Sequence, residues 1–127
     1  MIEVRFEKKA GVSAAWVRKV VAGTLKAERK KKEMGVLVTD DRRIRALNKR
    51  FLDHDYATDV VSFDTGDLVV SADFAKRYAR EHGIPFREEL ARYLVHGTLH
   101  LLGYDDKKKK DRACMHARQE VILRKLL

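Results

Sequence analysis

Residues 96 to 106 read His-Gly-Thr-Leu-His-Leu-Leu-Gly-Tyr-Asp-Asp, and the organisation of the chain follows outward from them. Upstream, Pro85 opens a run in which Leu90, Leu94 and Leu101 recur on one face. Proline in a first turn and apolar residues at this spacing predict a helix. Gly103 stops it, because a residue without Cβ readily takes the left-handed conformation that folds a chain back. On that helix His96 and His100 lie four positions apart, about 40° in azimuth and one turn in height, so both imidazoles can reach one ion. Asp106, three residues past the glycine, can return to complete the set. Glu89 and Tyr93 share the histidine side of the helix, which places His96 and His100 off the leucine face.

Two helical ligands and a third beyond a glycine turn is the spacing of metzincin-type zinc sites, with Asp106 here in place of the last histidine. Three protein ligands leave a fourth position for water, whose pKa zinc lowers to about 7. That is a catalytic layout. A carboxylate in place of an imidazole removes one unit of formal positive charge, so the water should be less acidic and the pH optimum higher than in an all-histidine site. Zinc-dependent peptidases activate the water with a glutamate beside the first histidine, and here that position is Gly97. His54, His82 and His116 have no partner at ligand spacing and read as surface or turn residues.

Before this helix, Val60, Val61 and Phe63 and then Leu68, Val69 and Val70 read as two strands joined by Asp64-Thr65-Gly66. Ser71 caps a helix running to about His82 that Gly83 closes. Thr39 or Asp40 caps an earlier helix carrying Ile44, Leu47 and Phe51, and Asp53 to Thr58 reads as the turn after it. Val36, Leu37 and Val38 form a short buried strand, while Ile2, Val4 and Phe6 alternate with charged residues as a half-buried one. Between those two, Val12, Ala15 or Trp16, Val20, Gly23 or Thr24 and Ala27 suggest a long helix from Val12 to about Lys32, whose basic end Arg29–Lys32 suits a helix C-terminus. After a lysine-rich loop, Met115, Val121, Ile122 and Leu126 mark a last helix. The order β, α, β, α, β, β, α, α, α predicts one α+β domain over residues 1–127. A small mixed sheet of about four strands would be covered by about five helices, with the metal site at the end of a central helix.

With 45% hydrophobic residues in 127, the chain has enough apolar material for a core, which excludes wholesale disorder. No stretch approaches the roughly 18 apolar residues of a bilayer helix, and the start of the chain lacks the apolar region of a secretory signal. Cytoplasmic residence, away from any membrane, is the expectation. The single cysteine, Cys114, cannot form an internal disulfide or a thiolate cluster, so any metal is held by His and carboxylate. The net charge of +9 is spread evenly, 15 basic and 10 acidic residues in 1–64 against 13 and 9 in 65–127, so no basic tail explains it. Such a balance favours polyanions, nucleic acid above all. One Asn and one Gln beside 37% charged residues is a composition common in thermophiles.

His96 to Asp106 resembles the HGxLHLxGYDH signature of the YbeY family, and the likeness continues in order along the chain. Leu47-Asn48, Thr58 to Phe63, Gly66 to Val70 and the late Met115 and Glu120 are similar to that family's LN, TDVLSF, GDIVI and M…E segments. The resemblance implies a single α+β domain holding one zinc ion, or another divalent transition metal, and a single-strand-specific endoribonuclease. Its partners would be single-stranded RNA, small-subunit rRNA matured at its 3′ end, and the ribosome with its proteins, in rRNA maturation and ribosome quality control. By the same likeness His96 and His100 are metal ligands and Asp106 takes the third ligand's place, the three acting in catalysis through the metal and its water. The chain departs from the family pattern at Asp106, where the family has His, and at Leu52, where it has a functional Arg that neighbouring Arg50 would replace. It is also shorter between Phe63 and Gly66.

Lys107, Lys108, Lys109 and Lys110 follow the third ligand and so stand within reach of an RNA backbone passing it. Tyr104 and Phe63 can stack on unpaired bases, with a core role favoured for Phe63. Asp59 and Asp67 read as contacts behind the site or as strand-end caps, and Gly103 as its structural bend. Whether the ribose 2′-OH or a metal-held hydroxide attacks, leaving a cyclic phosphate or simple termini, is open at this stage. Two other readings compete: a non-catalytic RNA- or ribosome-binding factor whose metal is structural, and, weakest because of Gly97, a small metallopeptidase.

Overall fold

Ile2, Val4 and Phe6 turn to one side of β1 (Ile2–Phe6) while Glu3 and Arg5 turn to the other, as strand alternation requires. The computed structural model describes Met1–Leu127. Its elements then run α1 (Ala14–Ala27), β2 (Met34–Thr39), α2 (Asp41–Leu52), β3 (Val60–Phe63), β4 (Asp67–Ser71), α3 (Ala72–His82), α4 (Phe86–Leu101) and α5 (Lys109–Leu126). This is the α+β order expected, with four strands and five helices. The strands form one mixed sheet ordered β1-β2-β4-β3. β1 pairs parallel to β2 and β2 parallel to β4, with Val4 opposite Val36 and Val36 opposite Leu68. β3 is antiparallel to β4, with Val61 opposite Val69.

The two faces of the sheet are covered unequally. Val36, Val38, Leu68 and Val70 face the main core, which takes in Val17, Val20 and Val21 of α1, Leu90, Leu94 and Leu99 of α4, and Met115 and Ile122 of α5. The opposite face carries a small cluster of Ile44, Val61 and Val69, with Leu37, Leu47 and Phe63 packed on it beneath α2. Helix α2 leaves part of that face open as a cleft of about 500 Å³ floored by Leu37 and Val69. Phe63 is half-buried there, its ring edge-on to Phe51 at 5.6 Å, which is the core role expected for it.

Local signals set most boundaries. Asp40, rather than Thr39, caps α2 by accepting from the Arg43 N–H, and Ser71 caps α3 by accepting from that of Phe74. Gly83 closes α3 at φ +64. Four expectations need correction. Helix α1 ends at Ala27 instead of near Lys32; Arg29, at a left-handed φ of +54, and Lys30 close its C-terminus by donating to Lys26 O and Leu25 O, and only Lys31 and Lys32 of the basic run lie beyond that turn. Its buried stripe is Val17, Val20, Val21, Thr24 and Leu25, so Val20 and Thr24 of the expected face are buried while Ala15 is exposed and Trp16 and Ala27 only half-buried, because α1 is packed between the sheet, α4 and α5. Val121 is exposed on α5 and Leu101 only half-buried on α4. The lysine-rich loop is short, since Lys108 is already the N-cap of α5 and Lys109 and Lys110 lie in its first turn.

Candidate metal centre and its surroundings

Helix α4 is the central element. It touches α1, α3, α5, β3 and β4 and buries Leu90, Ala91, Leu94, Val95, Thr98 and Leu99. Gly97 lets it lie this close to the sheet: a Cβ there would stand 2.1 Å from Leu68 Cδ1 and 3.1 Å from Val60 Cγ2. No room exists at this position for the general-base glutamate of a metallopeptidase.

The helix ends in a Schellman turn. Gly103 at φ +107 donates its N–H to His100 O at 3.1 Å, and Tyr104 donates to Leu99 O at 3.2 Å. The bend is then anchored at long range. The Tyr104 hydroxyl donates to Glu28, at the end of α1, and Arg118 Nε of α5 donates to the other oxygen of the same carboxylate at 2.6 Å. Arg118 also donates to Ala27 O at 3.1 Å, closing the C-terminus of α1. Burial pushes the Glu28 carboxyl up, and the bonds from Tyr104 and Arg118 pull it back further, to below its ordinary value. The Tyr104 phenol is raised by its bond to Glu28 and by burial.

That bend brings Asp106 Oδ2 to 3.9 Å from His96 Nε2. The other ring nitrogen of His96 is held by Gln119 Oε1 of α5 at 2.7 Å. Two ligands on one tetrahedral zinc are roughly 3.3 Å apart, so the pair is close to a shared-ion spacing. His100, one turn on, is exposed, and the Asp105 carboxyl beyond the bend is lowered chiefly by the Lys107 N–H. No three His, Cys, Asp or Glu side chains are drawn together into a group that holds an ion. The structure therefore brings together two members of the expected triad, His96 and Asp106, and leaves His100 outside the pair. Two imidazoles and a carboxylate are nonetheless a donor set suited to zinc, and His96 Nε2 faces the Asp106 carboxylate.

Behind His96 lies a charged network that sequence reasoning missed. Arg92 Nε and Nη2 fork onto Glu120 at 3.0 and 3.1 Å, Nη1 donates to Glu89, and Nη2 reaches Glu88 at 3.4 Å. Burial works against the Arg92 charge, but Glu120 and Glu89 hold it well above the ordinary arginine range. Glu120 is pushed up by burial and held below its ordinary value by Arg92 and Gln119. Buried Tyr93 lies against Glu89, and burial with that carboxylate pushes its phenol well up. The late Met and Glu of the family pattern were the one available pointer, and only to Met115 and Glu120.

The remaining residues fall in three places. Lys107 to Lys110 are exposed beside Asp106 and in no ion pair, whereas Tyr104 spends its hydroxyl on Glu28. Arg50 and Leu52 are exposed at the end of α2, across the sheet from α4, with the Arg50 guanidinium 5.3 Å from the Phe51 ring centre. Asp59 accepts from the Val60 N–H at 2.7 Å, and Asp67 from the Thr65 hydroxyl at 2.6 Å, so both work locally at strand ends. His54, His82 and His116 are exposed, as expected.

The family model for Endoribonuclease YbeY matches residues 3–127. The chain belongs to the YbeY endoribonuclease family. It is 39% identical over 126 residues to the Endoribonuclease YbeY of Porphyromonas gingivalis, covering 89% of this chain and 83% of that one. With the Endoribonuclease YbeY of Flavobacterium psychrophilum the identity is 33% over 130 residues, covering 96% and 91%. The solution structure of TM1509 from Thermotoga maritima superposes with a TM-score of 0.77 at 26% identity, over 99% of this chain and 89% of that one. YbeY membership makes the chain a hydrolytic endoribonuclease, which sets aside both the peptidase reading and the non-catalytic one. No helix is long and apolar enough to cross a membrane.

Proposed function

We propose that residues 1–127 act as one zinc-dependent domain that cuts single-stranded RNA at the 3′ end of small-subunit rRNA, in ribosome maturation and quality control in the cytoplasm. The observation that carries this reading is the approach of Asp106 Oδ2 to His96 Nε2, 3.9 Å, across the Gly103 bend of a YbeY chain. His96, His100 and Asp106 are the proposed ligands, His100 joining through a turn of its exposed side chain. When bound, the metal supplies a Lewis acid for a phosphoryl oxygen and a neutral-pH source of hydroxide. Lys107 to Lys110 hold flanking phosphates electrostatically, so their contribution weakens with salt. Arg50 is a candidate for RNA at the α2 end, where the exposed Phe51 and Tyr56 offer stacking faces. Tyr104 serves RNA binding by holding the bend rather than by stacking, and Asp59 and Asp67 have a structural role at opposite ends of the β3–β4 pair. The ribosome and its proteins are the proposed partners.

The test is a labelled single-stranded RNA incubated with protein and added divalent metal. Cleavage should occur for the wild type and fall to background in His96→Ala and His100→Ala. Elemental analysis should find one zinc per chain, lost in Asp106→Ala. Intact RNA under every metal tried would overturn the reading.

A further inference from the structure

We infer that Gln119 is a positioning residue for His96: it dictates which ring nitrogen carries the proton and leaves Nε2 as the bare donor facing Asp106. The consequence for metal rests on the function proposed above, while the geometry stands apart from it. The constraint begins at Arg92, whose guanidinium has donors only. Its fork fixes both oxygens of Glu120, at 3.0 and 3.1 Å, so a carboxylate stands as an acceptor at a set place beside α4. Gln119 Nε2 donates to Glu120 Oε2 at 3.0 Å. An amide has one nitrogen side and one oxygen side, so this contact decides its orientation, and a flipped amide would set its carbonyl against the carboxylate. Oε1 is thereby turned to His96 Nδ1, 2.7 Å away.

A carbonyl oxygen only accepts, so Nδ1 donates. A neutral imidazole protonated at Nδ1 keeps its lone pair on Nε2. That is the atom 3.9 Å from Asp106. Gln119 is only 5% exposed, so its amide is shielded from competing water. Partners on the second nitrogen hold metal-ligating histidines in this way in general. The chain Arg92, Glu120, Gln119, His96 thus carries a directional choice from a guanidinium to a ligand atom, and no residue of it except His96 touches the site.

The experiment uses 15N-histidine-labelled, metal-free protein at about pH 8, above the ordinary imidazole range, where ring nitrogen shifts distinguish the two neutral tautomers. In the wild type His96 should carry its proton on Nδ1. Gln119→Met, which keeps the volume and removes the acceptor, should give a tautomer mixture and bind zinc about 10- to 100-fold more weakly in competition with a chromophoric chelator. Gln119→Glu restores an acceptor and should restore the Nδ1–H tautomer. A wild-type proton on Nε2, an unchanged tautomer in Gln119→Met, or a Gln119→Glu protein that behaves like Gln119→Met would each overturn the inference. Should the wild type take up no zinc, the metal reading alone would fall, because the tautomer measurement needs no metal.

Discussion

His96 and His100 stand one turn apart on the same helix and are held in opposite ways. The His96 ring is gripped from behind by Gln119, itself tied through Glu120 to Arg92, and only 34% of its side chain meets solvent. His100 is exposed where α4 gives way to the Gly103 bend, and Asp106 hangs beyond that bend with 44% of its side chain exposed. One arm of the site is built into the core and the other is carried on a turn. A metal-binding site of this kind would have a preset first ligand and an adjustable remainder, so the ordering entropy on binding would come mainly from His100 and Asp106.

The comparison breaks hardest at Arg92. Arg92→Met leaves Glu89 and Glu120 without their cation in a poorly solvated place, and removal of one partner from such a network destabilises by about 3 to 5 kcal/mol. Urea midpoints at neutral pH should record that loss, and His96 should lose its preset orientation with it. Gly97→Ala comes next, because the added methyl enters the contact with Leu68 and Val60 and pushes α4 off the sheet. Overpacking of that kind is expected to cost about 1 to 3 kcal/mol. It moves both histidines together, so it should lower stability without separating the two arms.

What the sequence disclosed follows the same division. The bend at Gly103, the caps at Ser71 and Asp40 and the β3–β4 hairpin depend on residues within a few positions of one another, and all were legible. The end of α1 differs from the expectation because its stop is a left-handed turn on a residue that is not glycine: Arg29, at φ +54, donates to Lys26 O and Lys30 to Leu25 O, and Arg118, 91 positions away, adds its bond to the Ala27 carbonyl. The spacing of His96, His100 and Asp106 was likewise visible, but the grip on His96 was not. Gln119 lies on another helix and presents no pattern, and a Glu89–Arg92–Glu120 network in which Glu89 is buried and the other two are half-buried looks in sequence like ordinary surface charge.

The other arm breaks at the bend. Gly103→Ala forces a side chain into φ +107 with open space around it, so the cost is backbone strain alone, about 1 to 2 kcal/mol. It should weaken zinc binding while His96 keeps its tautomer, which is the reverse of the Gln119→Met result.

Tyr104→Phe is the smallest and the most diagnostic change, because it deletes one hydroxyl and leaves the ring. The lost bond to Glu28 is worth about 1 kcal/mol, the net value of a typical hydrogen bond, because the half-buried carboxylate keeps its bond to Arg118. The bond needs Glu28 ionised and Tyr104 protonated. Glu28 is held below its ordinary value of 4.5, so its share of stability is complete above that value and disappears as pH falls through the lower folded one. Tyr104 is raised above its ordinary 10.0, so its share is complete below 10.0 and is lost as pH rises through the higher folded one. The difference in melting temperature between wild type and variant should therefore form a plateau between these limits and close on both sides. A gap that does not narrow at all as pH is lowered from 4.5 to the acid limit of folding would mean that Tyr104 holds the bend by packing alone and that Asp106 owes its place to Gly103 and not to the Glu28 anchor.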